Sequence, residues 1–195
     1  STFNENVFLA CKQGDLNKLK TLFNTKYVDI NNIIDQTYKS PLYYACKYNN
    51  LYVVKFLIKK KIKIDYSEYF LSPLYIACSK NHIRIVDLLI NNNAKINYCD
   101  DFSPLYIASA FGHFNIVKKL ILHGADINFK NKYNNTPLHA ACKKNHLNIV
   151  NILIKNNAKI NSLGNTNASL HLACEYGHTR IVRKLIKNGA DINIK

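Results

Sequence analysis

The chain repeats one short pattern of apolar and polar positions five times. Two apolar residues, two variable ones and a second apolar pair recur as VVKFLI from Val53, IVDLLI from Ile85, IVKKLI from Ile116, IVNILI from Ile149 and IVRKLI from Ile181. Apolar residues one helical turn apart predict an amphipathic helix with a broad buried stripe. We therefore expect five equivalent helices, each packed on one face.

A second motif precedes each of these helices. Ser-Pro-Leu-Tyr begins at Ser40, Ser72 and Ser103, and the series continues as Thr136-Pro137-Leu138-His139 and Ala168-Ser169-Leu170-His171 at intervals of about 32 residues. Ser or Thr before Pro predicts a helix N-cap followed by a proline at the first helical position. Gly112-His113 and Asn145-His146 predict the break between two antiparallel helices, since Gly and Asn adopt left-handed backbone readily.

Six such units fill the 195 residues, and the first of them is degenerate. One helix pair cannot bury both of its apolar faces alone, so the units must stack. The sequence predicts one domain over residues 1–195, an all-α repeat solenoid of helix-turn-helix units. The expected units are approximately residues 5–37, 38–69, 70–100, 101–133, 134–165 and 166–195.

The fifth unit resembles an ankyrin repeat. The resemblance rests on Thr136-Pro137-Leu138-His139-Ala140-Ala141, Asn145-His146, Ile149-Val150 and Ala158-Lys159-Ile160-Asn161, and it covers essentially residues 5 to 195. It implies stacked ankyrin units with connecting β-hairpin loops. Tyr43, Tyr75 and Tyr106 stand where the family usually has His, and Ser169 stands where it usually has Pro; these departures concern the hairpins rather than the fold.

Cys78 and His82 lie four residues apart, a spacing that metal ligands on a helix also use. The pair recurs only in part along the repeats, and a tetrahedral site would need two further ligands. We therefore expect no metal and interpret five cysteines as small core residues: Cys11, Cys46, Cys78, Cys142 and Cys174. Cys99 is expected to be an exposed linker thiol. Reduced thiols favour a cytoplasmic or nuclear location.

His139 and His171 begin two of the predicted helices, and a histidine there could be a general base. The family resemblance implies instead that such a histidine bonds the backbone of the adjoining hairpin. No phosphate-binding loop, nucleophile elbow or zinc-protease motif is present in the sequence. We expect no catalytic residues, no cofactor and no enzymatic activity.

The net charge of +15 indicates either an acidic partner or a coding bias toward lysine, since only three of the 27 basic residues are arginine. No apolar run is long enough to span a bilayer. The repeat geometry places inner-helix ends and hairpin tips on a concave face, where aromatic and basic residues alternate. The candidate partner-binding residues are Lys47, Tyr48, Lys80, Phe111, Lys143, Lys144 and Tyr176 at the helix ends, with Tyr69, Phe102 and Tyr133 in the hairpins.

Exposed aromatics are preferred anchors in protein recognition, although any single tyrosine or lysine here could equally be local packing or a solvated end. We expect a monomeric protein–protein interaction module that binds a protein or peptide segment, with acidic segments favoured by the lysines. Nucleic-acid binding is the alternative, and the scarcity of Arg argues against it. A third reading is a substrate-recruiting domain of a larger enzyme.

Overall fold

A computed structural model describes residues 2–25, 28–66, 72–97, 103–165 and 167–193. The predicted binding residues Tyr69 and Phe102, and the linker thiol Cys99, lie outside the described residues. The described part is all-helical, as the sequence predicts, and it forms two compact units, Ser1–Lys95 and Ile96–Lys195. Each unit is described separately below.

Unit 1 contains three helix pairs and a short 3₁₀ helix, Ile30–Asn32. Its α-helices are α1 (Phe3–Gln13), α2 (Leu16–Thr25), α3 (Pro41–Lys47), α4 (Leu51–Lys59), α5 (Pro73–Ser79) and α6 (Ile83–Asn91). Unit 2 repeats the arrangement with α7 (Pro104–Ala110), α8 (Phe114–Leu122), α9 (Pro137–Lys143), α10 (Leu147–Lys155), α11 (Ser169–Glu175) and α12 (Thr179–Lys187). We call the odd-numbered helices first helices and the even-numbered ones second helices.

Within each unit the first helices pack side by side, and each second helix covers its own first helix and touches the next second helix. The first helices approach closely because their buried positions hold small residues, such as the fully buried Ala45-Cys46 and Ala77-Cys78. The second helices contribute the larger side chains of the predicted apolar stripe, including Ile116, Val117 and Leu120.

The predicted starts of the first helices are confirmed. Ser40 Oγ accepts the backbone N–H of Tyr43 at 3.3 Å, and Ser72 and Ser103 cap α5 and α7 at 3.1 Å. A proline follows each cap, because its fixed φ suits the first turn and its missing N–H costs nothing there. The breaks between paired helices carry left-handed backbone, with φ +61° at Asn81 and +63° at Asn145.

Four of the five cysteines predicted to be core residues are buried, namely Cys11, Cys46, Cys78 and Cys142. The prediction is wrong for Cys174, which is exposed. Cys142 on α9 is covered by α11 of the following repeat, whereas Cys174 lies on α11, the last first helix of the described chain. The same repeat position is therefore buried or exposed according to whether another first helix packs over it.

The loops before α3 and α9 are tight turns rather than two-stranded hairpins. Asp35 and Lys39 close one loop, with Asp35 N–H donating to Lys39 O at 3.1 Å, and Asn131 and Asn135 close its counterpart in unit 2. The described residues contain no paired strands, only an isolated antiparallel bridge between Leu163 and Ala168. Side-chain oxygens of Asp35 and Asn131 accept the loop N–H groups that a strand partner would otherwise bind.

In four repeats, an asparagine at the end of the repeat joins it to the turn that ends the second helix of the next repeat. Asn128 Oδ1 accepts Lys159 N–H at 2.8 Å, and Asn128 Nδ2 donates to Asn157 O at 3.3 Å. Equivalent paired bonds are made by Asn31, Asn97 and Asn161. Each amide therefore fixes one repeat against the next through two backbone groups.

Candidate functional site

The first helices end on side chains that the fold does not require. The residue after each helix uses its backbone N–H to bond the carbonyl four residues earlier, as Tyr48 does to Tyr44 O at 3.0 Å and Phe111 to Ile107 O at 3.1 Å. After α3, α5, α7, α9 and α11 its side chain points to solvent, namely Tyr48, Lys80, Phe111, Lys144 and Tyr176. We call the exposed surface at these helix ends the first-helix face.

In unit 1 this face carries a cluster of lysines over tyrosine rings. Lys12 Nζ lies 4.4 Å from the centroid of the Tyr44 ring, and half-buried Lys47 places its Nζ 5.5 Å from that of Tyr48. The Tyr48 side chain is 48% exposed, so a large aromatic surface remains open to solvent. Such cation–π pairs hold the rings in place at modest energetic gain.

On the loop side of the unit 1 cluster, the Tyr44 hydroxyl donates a hydrogen bond to Asp35 Oδ2 at 2.5 Å. Burial and the bond to Asp35 raise the pKa of Tyr44 to about 12. Burial alone would raise the pKa of Asp35, but hydrogen bonds from Tyr44, Lys39 and Thr37 lower it instead. The space beside the helix is therefore filled by the protein's own side chain in unit 1.

In unit 2 the predicted residues Tyr176 and Lys143 come together. Lys143 Nζ lies 5.6 Å from the centroid of the Tyr176 ring, and the His178 ring stacks against the same tyrosine with centroids 6.1 Å apart. The His178 Nε2 is in turn 3.1 Å from the carbonyl oxygen of Lys143. Phe111 is held in a similar way by His113, at 5.9 Å and an interplanar angle of 16°. Both aromatics are thus oriented before any partner arrives.

A cleft of about 190 Å³ opens beside Tyr176 between α9 and α11. Its walls include Tyr106, Ala140, Lys143, Leu172 and Glu175. The predicted residues Lys144 and Tyr133 are exposed in the same unit but do not line it. The structure therefore brings two of the predicted binding residues into one concave site.

Sequence reasoning missed the residues that open this cleft. Ala140 occupies the repeat position that holds Leu9, Tyr44, Ile76, Ile107 and Leu172 elsewhere, and its methyl group leaves the gap. An alignment of the six repeats would have shown that Ala140 is the one small residue at this repeat position. Tyr106 was noted only as a departure from the family pattern, although it forms a wall of the cleft.

The histidines after the helix breaks bond to backbone carbonyls. His82 Nε2 lies 3.2 Å from Lys47 O, and His146 Nε2 lies 3.1 Å from Ala110 O. Burial raises the pKa of the Cys78 thiol well above its usual range, so the thiolate that a metal requires is disfavoured. No three His, Cys, Asp or Glu side chains converge as metal ligands among the described residues.

His139 is buried at the start of α9. Its Nδ1 accepts the Thr136 backbone N–H at 3.1 Å, and its other ring edge faces the backbone of Ser162 and Asn167 in the next loop. Burial lowers its pKa to about 4. The ring is therefore neutral at physiological pH, and its Nδ1 is bonded within its own repeat, while the buried Nε2 has no hydrogen-bond partner among the described residues.

All three arginines lie on second helices. Arg84 and Arg180 hold the same repeat position and line two equivalent clefts, of about 270 and 340 Å³, at the starts of α4 and α10. Arg183 follows one turn later on α12. The positive charge of the first-helix face is consequently lysine alone in the described residues.

Comparisons with known proteins agree with this architecture. The family model described as ankyrin repeats matches residues 7–100 and 105–195. Among solved structures, the crystal structure of the human ASB11 ankyrin repeat domain superposes with a TM-score of 0.86 at 23% sequence identity, covering 96% of this chain and 85% of that chain. No curated protein sequence matched. Among the described residues, no helix combines the length and apolar character that a bilayer span requires.

Proposed function

Because the chain belongs to the ankyrin-repeat family, whose members generally bind other proteins, we propose that it is a protein-binding module whose first-helix face grips an acidic segment of a partner. The fold is typically non-catalytic. Unit 2 supplies the principal site, formed by Phe111, Lys143, Lys144 and Tyr176, and we include Tyr133, an exposed loop residue of the same unit. Lys47, Tyr48 and Lys80 form a second site in unit 1.

The observation that carries the proposal is the arrangement around Tyr176. The ring is 46% exposed, yet it is held by Lys143 and by the stacked His178. Ordering an exposed side chain on binding usually costs conformational entropy, and a ring that is already oriented avoids much of that cost. Together with the adjacent cleft, this gives an anchor and a recess side by side, which is the usual composition of a binding hot spot.

The charges around this site favour an acidic partner. Lys143 and Lys144 are exposed and consecutive in the sequence, and Glu175 is the acidic side chain that lines the cleft. Two lysines and one glutamate leave a net charge of +1 at the site. Charges of this kind steer an oppositely charged segment toward the surface and contribute more to the association rate than to the lifetime of the complex.

Protein binding is favoured over nucleic-acid binding by the placement of the arginines. Arg84, Arg180 and Arg183 all lie on second helices, so the first-helix face lacks the guanidinium groups that bind phosphate and guanine in two-pronged fashion. A domain that recruits a protein substrate for an enzyme would use the same protein-binding surface, so the proposal includes this role.

The test is selection of peptides from a random displayed library on the intact chain, followed by affinity measurement. We expect selected peptides to be rich in Asp and Glu and to lose about tenfold or more in affinity on Tyr176→Ala, the loss typical of a hot-spot residue. Tyr52→Ala is the matched control, since Tyr52 is exposed on second helix α4. Selection of basic or uncharged peptides, or equal losses for both variants, would refute the proposal.

A further inference from the structure

The first helices of the two units correspond in order, so that α1, α3 and α5 of unit 1 match α7, α9 and α11 of unit 2. The middle helices differ at one repeat position, where α3 has Tyr44 and α9 has Ala140. The helix before each of them carries an aromatic residue at the same repeat position, Phe8 on α1 and Tyr106 on α7. The two units therefore share the aromatic neighbour, but the residue beside it is a phenol ring in one unit and a methyl group in the other.

In unit 1 the Tyr44 ring packs against the preceding first helix. Its edge meets the Phe8 ring, with centroids 5.7 Å apart and an interplanar angle of 75°, and Lys12 Nζ lies 4.4 Å from its centroid. Phe8 is buried in this arrangement, whereas Tyr106 in unit 2 is only half-buried. The tyrosine of unit 2 is thus less covered than its counterpart, and Ala140 has no ring with which to cover it.

The cleft in unit 2 lies where such a ring would be. Tyr106 and Ala140 both line it, and Leu172 lines it from α11, the first helix on the other side of α9. Its volume is about 190 Å³. An engineered cavity of about 150 Å³ in another protein binds benzene, so this cleft has room for one aromatic ring.

We propose that the cleft receives an aromatic side chain of the partner segment, packed against Tyr106 as Tyr44 packs against Phe8 in unit 1. This inference rests on the proposed function, because it names the residue by which the acidic segment is anchored to the first-helix face. Lys143 lines the cleft and Lys144 is the next residue, so acidic residues on either side of the aromatic one have cations to meet.

The walls of the cleft favour an aromatic over an aliphatic or acidic side chain. Tyr106 and Tyr176 both line it, and aromatic rings attract one another in edge-to-face contacts with centroids about 4.5–7 Å apart. Lys143, whose Nζ lies 5.6 Å from the Tyr176 centroid, adds a cation that attracts the face of a ring. Glu175 also lines the cleft and would repel a carboxylate placed inside it, whereas it does not repel an uncharged ring.

The geometric premise is tested without any ligand, by thermal melts of two variants. Ala140→Tyr should leave the melting temperature unchanged or raise it, because the new ring enters open space beside Tyr106. The matched control is Ala141→Tyr, which puts the same ring at a fully buried neighbour and should lower the melting temperature by overpacking. Equal losses for the two variants would mean that position 140 does not open into the cleft and would overturn the proposal.

Recognition is tested by NMR titration of the full chain with N-acetyl-tyrosine N-methylamide, with N-acetyl-leucine N-methylamide as its aliphatic counterpart. The tyrosine probe should shift the Ala140 and Leu172 methyl signals in a saturable way and bind about threefold or more tightly than the leucine probe, within the range expected for one aromatic pair. Ala140→Tyr should abolish its binding. Leu122→Tyr, which adds the same ring to exposed α8, should leave it unchanged.

The aromatic wall is tested by two substitutions of Tyr106. Tyr106→Leu should remove the preference for the tyrosine probe, while Tyr106→Phe should retain it. Equal binding of the two probes to the wild-type chain, an absence of shifts at Ala140 and Leu172, or unchanged binding to Ala140→Tyr would each overturn the proposal.

The inference and the proposed function can fail separately. Acidic peptides selected on the intact chain should share an aromatic residue and should lose affinity on Ala140→Tyr. Selected acidic peptides that lack an aromatic residue would contradict the aromatic anchor and leave the proposed function standing. A chain that binds the tyrosine probe in the cleft but selects no acidic peptides would contradict the proposed function.

Discussion

His146 binds the carbonyl oxygen of Ala110 through its Nε2 at 3.1 Å, and the two residues belong to successive repeats. Asn50 makes the equivalent bond from Nδ2 to Lys12 O at 3.2 Å, so an amide can replace the imidazole at this position. Gly112 allows the close approach, since a Cβ there would lie 2.6 Å from His146 Cε1. Bonds of this kind give the carbonyl ends of α1, α3, α7 and α9 a partner from the next repeat.

Replacing His146 by Ala should therefore cost about 1 kcal/mol of unfolding free energy, the net value of one hydrogen bond. His146→Asn should cost less, because Asn50 shows that the shorter side chain can bond the same carbonyl position. Urea denaturation of both variants checks this. Equal losses for Ala and Asn would show that the ring's packing, rather than its hydrogen bond, matters.

Asp65 occupies the repeat position that Asn31, Asn97, Asn128 and Asn161 hold elsewhere. Its Oδ1 accepts Lys95 N–H at 2.9 Å, but a carboxylate cannot donate the second bond that each asparagine makes. Asp65→Asn should add a bond to Asn93 O and stabilise the chain by about 0.5–1.5 kcal/mol. Asn128→Asp, which removes the corresponding donor, should destabilise it. A destabilising Asp65→Asn in thermal melts would contradict the account of these turns.

The stability of the chain should depend on pH through His139. Its pKa is about 4 in the folded protein against 6.5 ordinarily, so between these values the unfolded chain binds more protons. The free energy of unfolding is therefore at its full value with respect to His139 above pH 6.5. It decreases as the pH falls toward 4, by up to about 1.4 kcal/mol per pH unit. Denaturant titrations of wild type and His139→Gln should show a shallower slope in the variant. An equal slope in wild type and variant would contradict this account.

The reactivity of each cysteine thiol in the native protein should depend on its burial. Cys174 should react with a thiol reagent in the native protein, whereas Cys11, Cys46, Cys78 and Cys142 should react only on unfolding, because burial also raises the pKa of these four thiols. Cys142→Ala should cost about 1 kcal/mol and Cys174→Ala much less. Mass spectrometry after brief labelling identifies the sites. Fast native labelling of Cys142 would contradict the packing of α9 under α11.

The sequence was sufficient for the helix pairs, because Ser-Pro caps, left-handed Asn and Gly and the apolar stripe are all local signals. Tyr176 and Lys143 could be predicted as surface residues by their repeat position, but the stacking of Tyr176 on His178 depends on the path of the loop. The cleft at Ala140 depends on what neighbouring repeats place around a small residue. The exposure of Cys174 could not be predicted for the same reason. Its motif matches that of Cys142, and the two differ only in whether another helix covers them.

The central claim, that a shaped and basic first-helix face binds the partner, is tested most directly by matched charge reversals. Lys143→Glu with Lys144→Glu changes the first-helix face, and Lys118→Glu with Lys155→Glu changes exposed second-helix lysines of the same unit by the same net charge. Binding of a library-selected acidic peptide is measured for both double variants at two salt concentrations. We expect the first pair to slow association and weaken affinity about tenfold or more, and the second pair to have little effect. Equal losses for the two pairs would contradict the claim and indicate diffuse attraction to a basic protein.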